Sequence, residues 1–382
     1  AMAGWYDEQR EAQARAYELA HARLFLLRFA LLFALAAAFW GAGWSRALAA
    51  GLHNWFSFPY AWPLICAVFT ALAVFGYEAV LFPLSVLADF TLERLHGRHH
   101  LEFGPWLRGF IKTVVLEIAI VTAGFTVLYV LMRLFPAYWW LAAAGGYALL
   151  VAGLGEWGTA WLLPRVRKPA AIADDALVAE LRRIGAAAGL EITGAAWWDF
   201  EHQESLIDVC LAGTGRRRRV VFSARAWRER DRGEQLFLAA RQMAWLGGRT
   251  AHAALALQIV LAGGVFRGAA WLTERAARAG GLAGATAPAA FPFLVVALFA
   301  LAAAAGVVAH AAVRRGELRA DGFALRHAGG AAVLEASLRR EFEREPYAVD
   351  LPAWTVALLR REPTAARRLA AARKAGSPPP AG

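Results

Sequence analysis

Long apolar runs, separated by arginine-rich polar stretches, are the dominant pattern along this chain. About 20 helical residues rise roughly 30 Å, the thickness of a bilayer's hydrocarbon core. The runs predict six membrane-spanning helices: Leu24–Trp44, Ala61–Leu81, Phe110–Met132, Ala137–Leu163, Ala253–Leu272 and Phe291–Val313. The first run is preceded by the polar, helix-prone stretch Trp5–Arg23, and it is too long for the core of a cleavable signal peptide. Aromatic residues crowd the run ends. Trp55, Phe56, Tyr60 and Trp62 cluster at the start of the second run, and Tyr138, Trp139 and Trp140 open the fourth. That placement fits an aromatic belt at headgroup level.

The insert between the fourth and fifth runs has a different rhythm. Ala176–Ala188 carries Leu177, Leu181 and Ile184 at helical spacing, and Gly189 is a suitable stop. Glu191–Asp199 and Arg219–Ser223 read as strands, with Gly213 and Gly215 marking a turn between strand candidates. Glu234–Leu246 reads as a helix closed by Gly247–Gly248. The expected fold class is a predominantly α-helical polytopic membrane protein, with about six transmembrane helices and a small α+β cytoplasmic insert. Four consecutive regions are expected. Residues 1–163 form four spans, 164–250 the insert, 251–313 two further spans, and 314–382 a final helix and basic tail whose Ser377–Pro380 end reads as disordered.

Composition supports the membrane reading: 59% of the residues are hydrophobic and the mean hydropathy is +0.41. The net charge of +11 has a sided distribution. Glu93–Arg108, Arg165–Arg249 and Arg314–Gly382 are rich in arginine, whereas the connections around Arg46, Arg133 and Arg275 are short or carry few cations. By the positive-inside rule, the termini and the large loop face the cytoplasm, here expected to be that of a bacterial cell. Basic residues beside spans meet anionic headgroups, so the lipid bilayer is the expected partner. Nucleic acid is not: the one compact basic run, Arg216–Arg219, lacks interleaved aromatics or a recognisable module. Cys66 falls in a span and Cys210 in the insert, which implies no disulfide framework.

Among candidate chemical groups, His96, His99 and His100, flanked by Glu93 and Glu102, form the one histidine cluster; solvated loop histidines are the expectation there. His310 shares a helical stripe with Arg314, Glu317 and Asp321, and a hydrogen-bonded structural role is expected for it. Arg28, Glu78, Glu117, Glu156 and Arg267 lie within or beside spans, where such residues pair with one another or face a wet cavity. No nucleophile triad and no phosphate-binding loop occurs.

Between Tyr77 and Leu325, Glu93–Arg94 with Gly97, Trp106–Leu107 with Lys112, Asp208–Cys210 with Gly213 and Gly215, and Glu317 with Asp321 follow one another in an order. That order resembles the integral-membrane zinc metalloproteases of the CAAX prenyl protease 1 (type I prenyl-protein endopeptidase) family. Glu93–Arg94 with Gly97, then Trp106–Leu107 and Lys112, follow the family's E-R-x-x-G and W-L-x-D-x-x-K segment, with Gly109 in place of the aspartate. Pro136 with Trp139–Trp140 fits the start of the next span, and Asp199 and Ser205 fit a D-x-S region loosely. Asp208, Val209, Cys210, Gly213, Gly215, Arg218 and Arg219 keep the spacing of an N-A-Y-x-x-G-x-G segment followed by an arginine pair. Asp208 replaces the family's asparagine, and Ala224 replaces a later aspartate. The resemblance implies that this strand edges a substrate cleft in a metalloprotease-like insert.

The family's metal helix reads H-E-x-x-H, in which two imidazoles one turn apart bind zinc and the glutamate polarises water. The corresponding residues here are Arg241, Gln242 and Trp245. The family's third ligand lies in an E-x-x-x-D motif, kept as Glu317 and Asp321. One ligand of three cannot hold a catalytic zinc, and an amide cannot serve as general base. No metal and no other cofactor is therefore expected, although the family implies zinc. Arg241 is expected to pair with the carboxylates and Trp245 to fill space. The expected function is a catalytically inactive pseudoprotease that binds a protein, peptide or lipid-modified partner without cleaving it. The alternatives are an active endopeptidase with a non-standard metal site, and a chamber-based transport role, for which paired Gly/Pro interruptions of the spans are missing.

Overall fold

The computed structural model describes residues 6–96, 102–153, 169–198, 208–213 and 215–376. The chain falls into two compact units. One comprises residues 1–15, 148–258 and 306–382, and the other residues 16–147 and 259–305. The units do not follow the four consecutive stretches expected from sequence, because the insert and the C-terminal region belong to one of them.

The second unit is helical. Its elements are α1 (Glu8–Gly41, of which residues 16–41 belong here), α2 (Trp44–Trp55), α3 (Trp62–Ser85), a π-helical turn (Val86–Thr91), α4 (Leu92–Leu95), α5 (Phe103–Leu134) and α6 (Trp139–Ala152). α6, α10 (Arg249–Ala279) and α11 (Phe291–His327) are divided between the units: residues 139–147, 259–279 and 291–305 belong here, and residues 148–152, 249–258 and 306–327 to the other. Five helices are long and apolar enough to cross a membrane: Glu8–Gly41, Trp62–Leu95, Phe103–Leu134, Thr250–Ala279 and Pro288–His327. These correspond to five of the expected spans. The other, Ala137–Leu163, is present as the shorter apolar helix Trp139–Val151, and its remainder lies outside the described residues.

Two local expectations change. The first span does not reach Trp44, because α1 ends at Gly41 and Gly43, at φ 75°, turns the chain into a new helix. Trp139 is not a belt residue: it is only 4% exposed and packs with Cys66, Phe69, Tyr129 and Met132. Trp55, Tyr60 and Tyr138 are open, as a headgroup position requires. Of the polar groups beside spans, Arg28 donates to Ser85 Oγ at 2.6 Å and lies 3.4 Å from Asp89, and the Arg267 guanidinium sits 5.9 Å from the Trp140 ring. Glu156 falls outside the described residues.

The first unit contains the sheet. Its strands are β1 (Ala170–Ala171), β2 (Glu191–Trp198), β3 (Val209–Ala212) and β4 (Arg217–Ser223), ordered β1-β2-β4-β3. β2 and β4 are parallel and the other pairs antiparallel. Alternation divides β4 between two faces. Val220 and Phe222 join the main core, while Val221 packs with Ala196 and Trp198 on the other side. The helix α7 (Asp175–Ala187) covers β2; its Leu177, Leu181 and Ile184 are fully buried. Asp174 caps α7 by accepting from Leu177 N at 2.8 Å, and Gly189 ends it at φ 76°. A short α8 (Ala224–Glu229) leads to α9 (Arg232–Gly247), capped by Asp231. A Cβ on Gly247 would stand 2.2 Å from Ala188 O, so only glycine permits α9 to end this close to the end of α7.

The C-terminal region is folded, where a basic tail was expected. It forms α12 (Ala331–Arg344), α13 (Ala353–Leu359) and α14 (Ala365–Gly376). Leu334, Leu338 and Phe342, four residues apart on α12, join the core with Leu369 and Ala372 of α14. The Ser377–Pro380 end lies outside the described residues.

Candidate functional site

The site is assembled by α9, α11 and α14. On α9, Phe237, Ala240 and Met243 are fully buried and fix which way the helix faces. Arg241 and Trp245, one turn apart, then share a stripe half open to α11. On α11, Glu317 and Asp321 are also one turn apart, so the two pairs meet. Arg241 Nη2 donates to Glu317 Oε2 at 2.7 Å. Its Nε lies 2.6 Å from Asp321 Oδ1, an ion-pair contact and not a hydrogen bond, since the N–H is not aimed at the oxygen. Gln242, between them on the helix, is half-buried.

Trp245 meets α11 through a missing side chain. A Cβ on Gly316 would stand 2.3 Å from Trp245 Cζ3 and 3.0 Å from Thr250 Cγ2. The indole therefore rests where the helix backbone is bare, next to the two carboxylates in sequence.

A further cation comes from α14. Arg368 Nε donates to Asp321 Oδ2 at 2.8 Å and Nη2 to Oδ1 at 3.0 Å. This is the two-pronged geometry that suits guanidinium and carboxylate best. The Asp321 side chain is only 3% exposed and that of Arg368 10%. Sequence reasoning missed Arg368, which sits in a region crowded with arginines and shares no motif spacing with the other residues. The usable signal was thermodynamic: a buried Asp321 with one shared cation still needed donors for its second oxygen.

Two guanidiniums thus face two carboxylates, and the donor set does not fit zinc. The place that the resemblance gives to the first imidazole holds a permanent cation already bound to Glu317, and the second holds an indole. Among the described residues, no group of three or more His, Cys, Asp or Glu side chains could hold a metal ion. His96 is turned back on its own helix, Nδ1 to Leu92 O at 2.9 Å, while His99 and His100 lie outside the described residues. His310 donates from Nδ1 to Leu358 O at 3.2 Å, the structural role expected of it.

The expected cleft-edge residues lie on β3 and its turn. β3 is an edge strand, Val209 is buried, and Cys210 is half-buried with its thiol pushed up to about 12 by burial. Gly213 and Gly215 both have positive φ, and Arg218 donates to their carbonyls, so this part of the arginine run holds a turn. Asp208 is engaged elsewhere. It pairs with Arg225 and with Arg230 Nη2, the latter at 2.9 Å. Arg230 also donates to Ser337 Oγ at 3.1 Å and approaches Glu341 and Glu234. Glu234 is the unusual member: 1% exposed, its oxygens accept no hydrogen bond from the described residues, and Arg230 and Arg340 remain 3.8 and 3.5 Å away. Burial raises its carboxyl above the ordinary value, against the pull of those two arginines. Asp199 and Ser205 lie outside the described residues.

Comparison with known proteins bears on the fold. Residues 1–162 match the family model for the CAAX prenyl protease N-terminal region of five membrane helices. The crystal structure of S. mikatae Ste24p superimposes with a TM-score of 0.72 at 16% identity, covering 97% of this chain and 90% of that one. The chain resembles the CAAX prenyl proteases. It is an integral, polytopic, helical membrane protein with that fold. No curated protein matches it. Arg241, Trp245, Glu317, Asp321 and Arg368 all lie beyond the matched 162 residues, so the CAAX prenyl protease likeness there is one of fold.

Proposed function

We propose that this protein is a catalytically inactive membrane pseudoprotease, a body of the CAAX prenyl protease type that binds a protein, peptide or lipid-modified segment without cleaving it. The observation that carries this reading is the grip of Arg241 on both Glu317 and Asp321. Zinc supplies two positive charges beside a carboxylate ligand; here Arg241 and Arg368 supply two permanent ones. Without a cation, Asp321 would be a buried, uncompensated charge, which is costly. Trp245 against Gly316 supports the same reading, since its bulk occupies space beside the carboxylates that a smaller residue would leave void. The edge strand β3 can hold an extended segment without any water-activating base. The arginine-rich insert and C-terminal region support a cytoplasmic position for this side of the protein, and a bacterial cytoplasmic membrane is the proposed location.

Elemental analysis of the purified, detergent-solubilised chain tests the reading, alongside a peptide-cleavage assay with and without chelator. Zinc far below one equivalent and no chelator-sensitive cleavage are expected. One equivalent of zinc that disappears in Glu317→Ala would establish the rival, an active endopeptidase with a rearranged metal site.

A further inference from the structure

The helix α13 is short, yet its surface is the reverse of what an internal helix should show. Thr355 and Val356 are buried, while Trp354 and Leu358, one turn apart, are 39% and 40% exposed. Two large apolar side chains therefore point outward from a helix whose smaller ones point in.

How α13 is held says where that outward face lies. The last carbonyls of a helix lack partners within it. Here α11 supplies them: His310 Nδ1 donates to Leu358 O at 3.2 Å, Arg314 Nη1 to Val356 O at 2.8 Å, and Arg314 Nη1 also to Arg360 O. Cationic side chains at a helix C-terminus also complement its dipole. These two anchors occupy a particular level of α11. The helix is free of Asp, Glu, Lys and Arg from Phe291 to Val313, and Arg314 is the first such residue after it. The end of an apolar span is the headgroup level of a bilayer, so α13 is fastened at that level.

The charge around α13 is mainly positive. Arg361 lies within electrostatic reach of His310, Arg367 within reach of Arg314, and Arg360 follows the helix directly. The acidic residues are Asp350 before the helix and Glu362 after it, and Glu362 lies within electrostatic reach of Arg360. An outward tryptophan and leucine beside clustered arginines match an interface whose apolar layer is capped by negative charge.

We propose that α13, through Trp354, Leu358, Arg360 and Arg361, is a docking surface for anionic lipid headgroups in the leaflet where α11 leaves the membrane. The inference does not depend on whether the Arg241 site is catalytic.

Spin labelling tests it on the full chain. In a background with Cys66 and Cys210 changed to alanine, Leu358→Cys is labelled and reconstituted in phosphatidylcholine vesicles with or without phosphatidylglycerol. Glu343→Cys, exposed on α12, is the aqueous reference. In the anionic vesicles the label at 358 is expected to be reached by oxygen and shielded from a water-soluble nickel chelate, while that at 343 reads as aqueous. Omitting phosphatidylglycerol, or adding Arg361→Glu, should shift the label at 358 toward the aqueous reference. An aqueous reading at 358 in anionic vesicles overturns the proposal. So does a lipid-like reading indifferent to both headgroup charge and Arg361→Glu, which would leave apolar contact without headgroup recognition.

Discussion

Two clusters of arginines and carboxylates lie in the same unit, and they solve the same problem with unequal success. Around Asp321, both carboxylate oxygens receive directed donors from Arg368, with Arg241 adding charge and bonding Glu317. Around Glu234, equally buried, neither oxygen receives a hydrogen bond from the described residues, and its arginines are committed to Asp208, Ser337, Glu341 and the Glu229 carbonyl. The difference teaches that proximity of charge does not complete a buried carboxylate. Direction does, because each ionised oxygen given up by water must be met by a donor aimed at it.

The comparison breaks most sharply at Arg368. Arg368→Ala leaves Asp321 buried with one non-directed cation, and a loss of about 3–5 kcal/mol is expected. Thermal unfolding of the detergent-solubilised chain measures it. The double variant Arg368→Met with Asp321→Asn should cost less than Arg368→Ala alone, because it removes both charges together. If the costs simply add, the two side chains are not coupled and the contrast between the clusters fails.

Which parts of this were legible in the sequence follows from what each part depends on. The spans were, since length and hydropathy decide them, as were the glycine stops of α7 and α9, which are set within one turn. The Arg241–Glu317 contact is legible because helical spacing and a motif order bring the two together. Arg368 and the fold of α12–α14 could not. Their apolar positions, Leu334, Leu338 and Phe342, are spaced for a helix but sit among arginines, and what buries them is the core formed by α9 and the sheet. Trp139 was misplaced for a similar reason: the pattern puts it at a span end, but its neighbours in space bury it.

A smaller effect is expected at Gly316, where shape and not charge is at stake. Gly316→Ala places a methyl 2.3 Å from Trp245 Cζ3, and overpacking of this kind costs about 1–3 kcal/mol. Combining it with Trp245→Leu should recover part of the loss, since the clash goes with the ring. A Gly316→Ala melting temperature equal to the parent would mean the indole moves aside freely and is no structural part of the site.

The smallest effect belongs to Glu234, and its sign is opposite. Because burial raises its folded carboxyl above the ordinary value of 4.5, the folded state holds this proton more tightly than the unfolded chain does. Below that ordinary value both states are protonated and Glu234 costs nothing through ionisation. As pH rises past it, the unfolded chain ionises first, and stability falls until the folded carboxyl ionises too. Glu234→Gln removes the titration and offers amide donors to the crowded cluster. It should therefore stabilise the fold at neutral pH by on the order of 1 kcal/mol and raise the melting temperature accordingly. The gain should shrink as pH falls, and vanish below the ordinary carboxyl range. Asp321→Asn serves as the contrast, since it gives up an acceptor that Arg368 already satisfies and should destabilise at neutral pH. Should Glu234→Gln also destabilise there, Arg230 and Arg340 at 3.8 and 3.5 Å do complete the carboxylate, and directed donors are not what separates the two clusters.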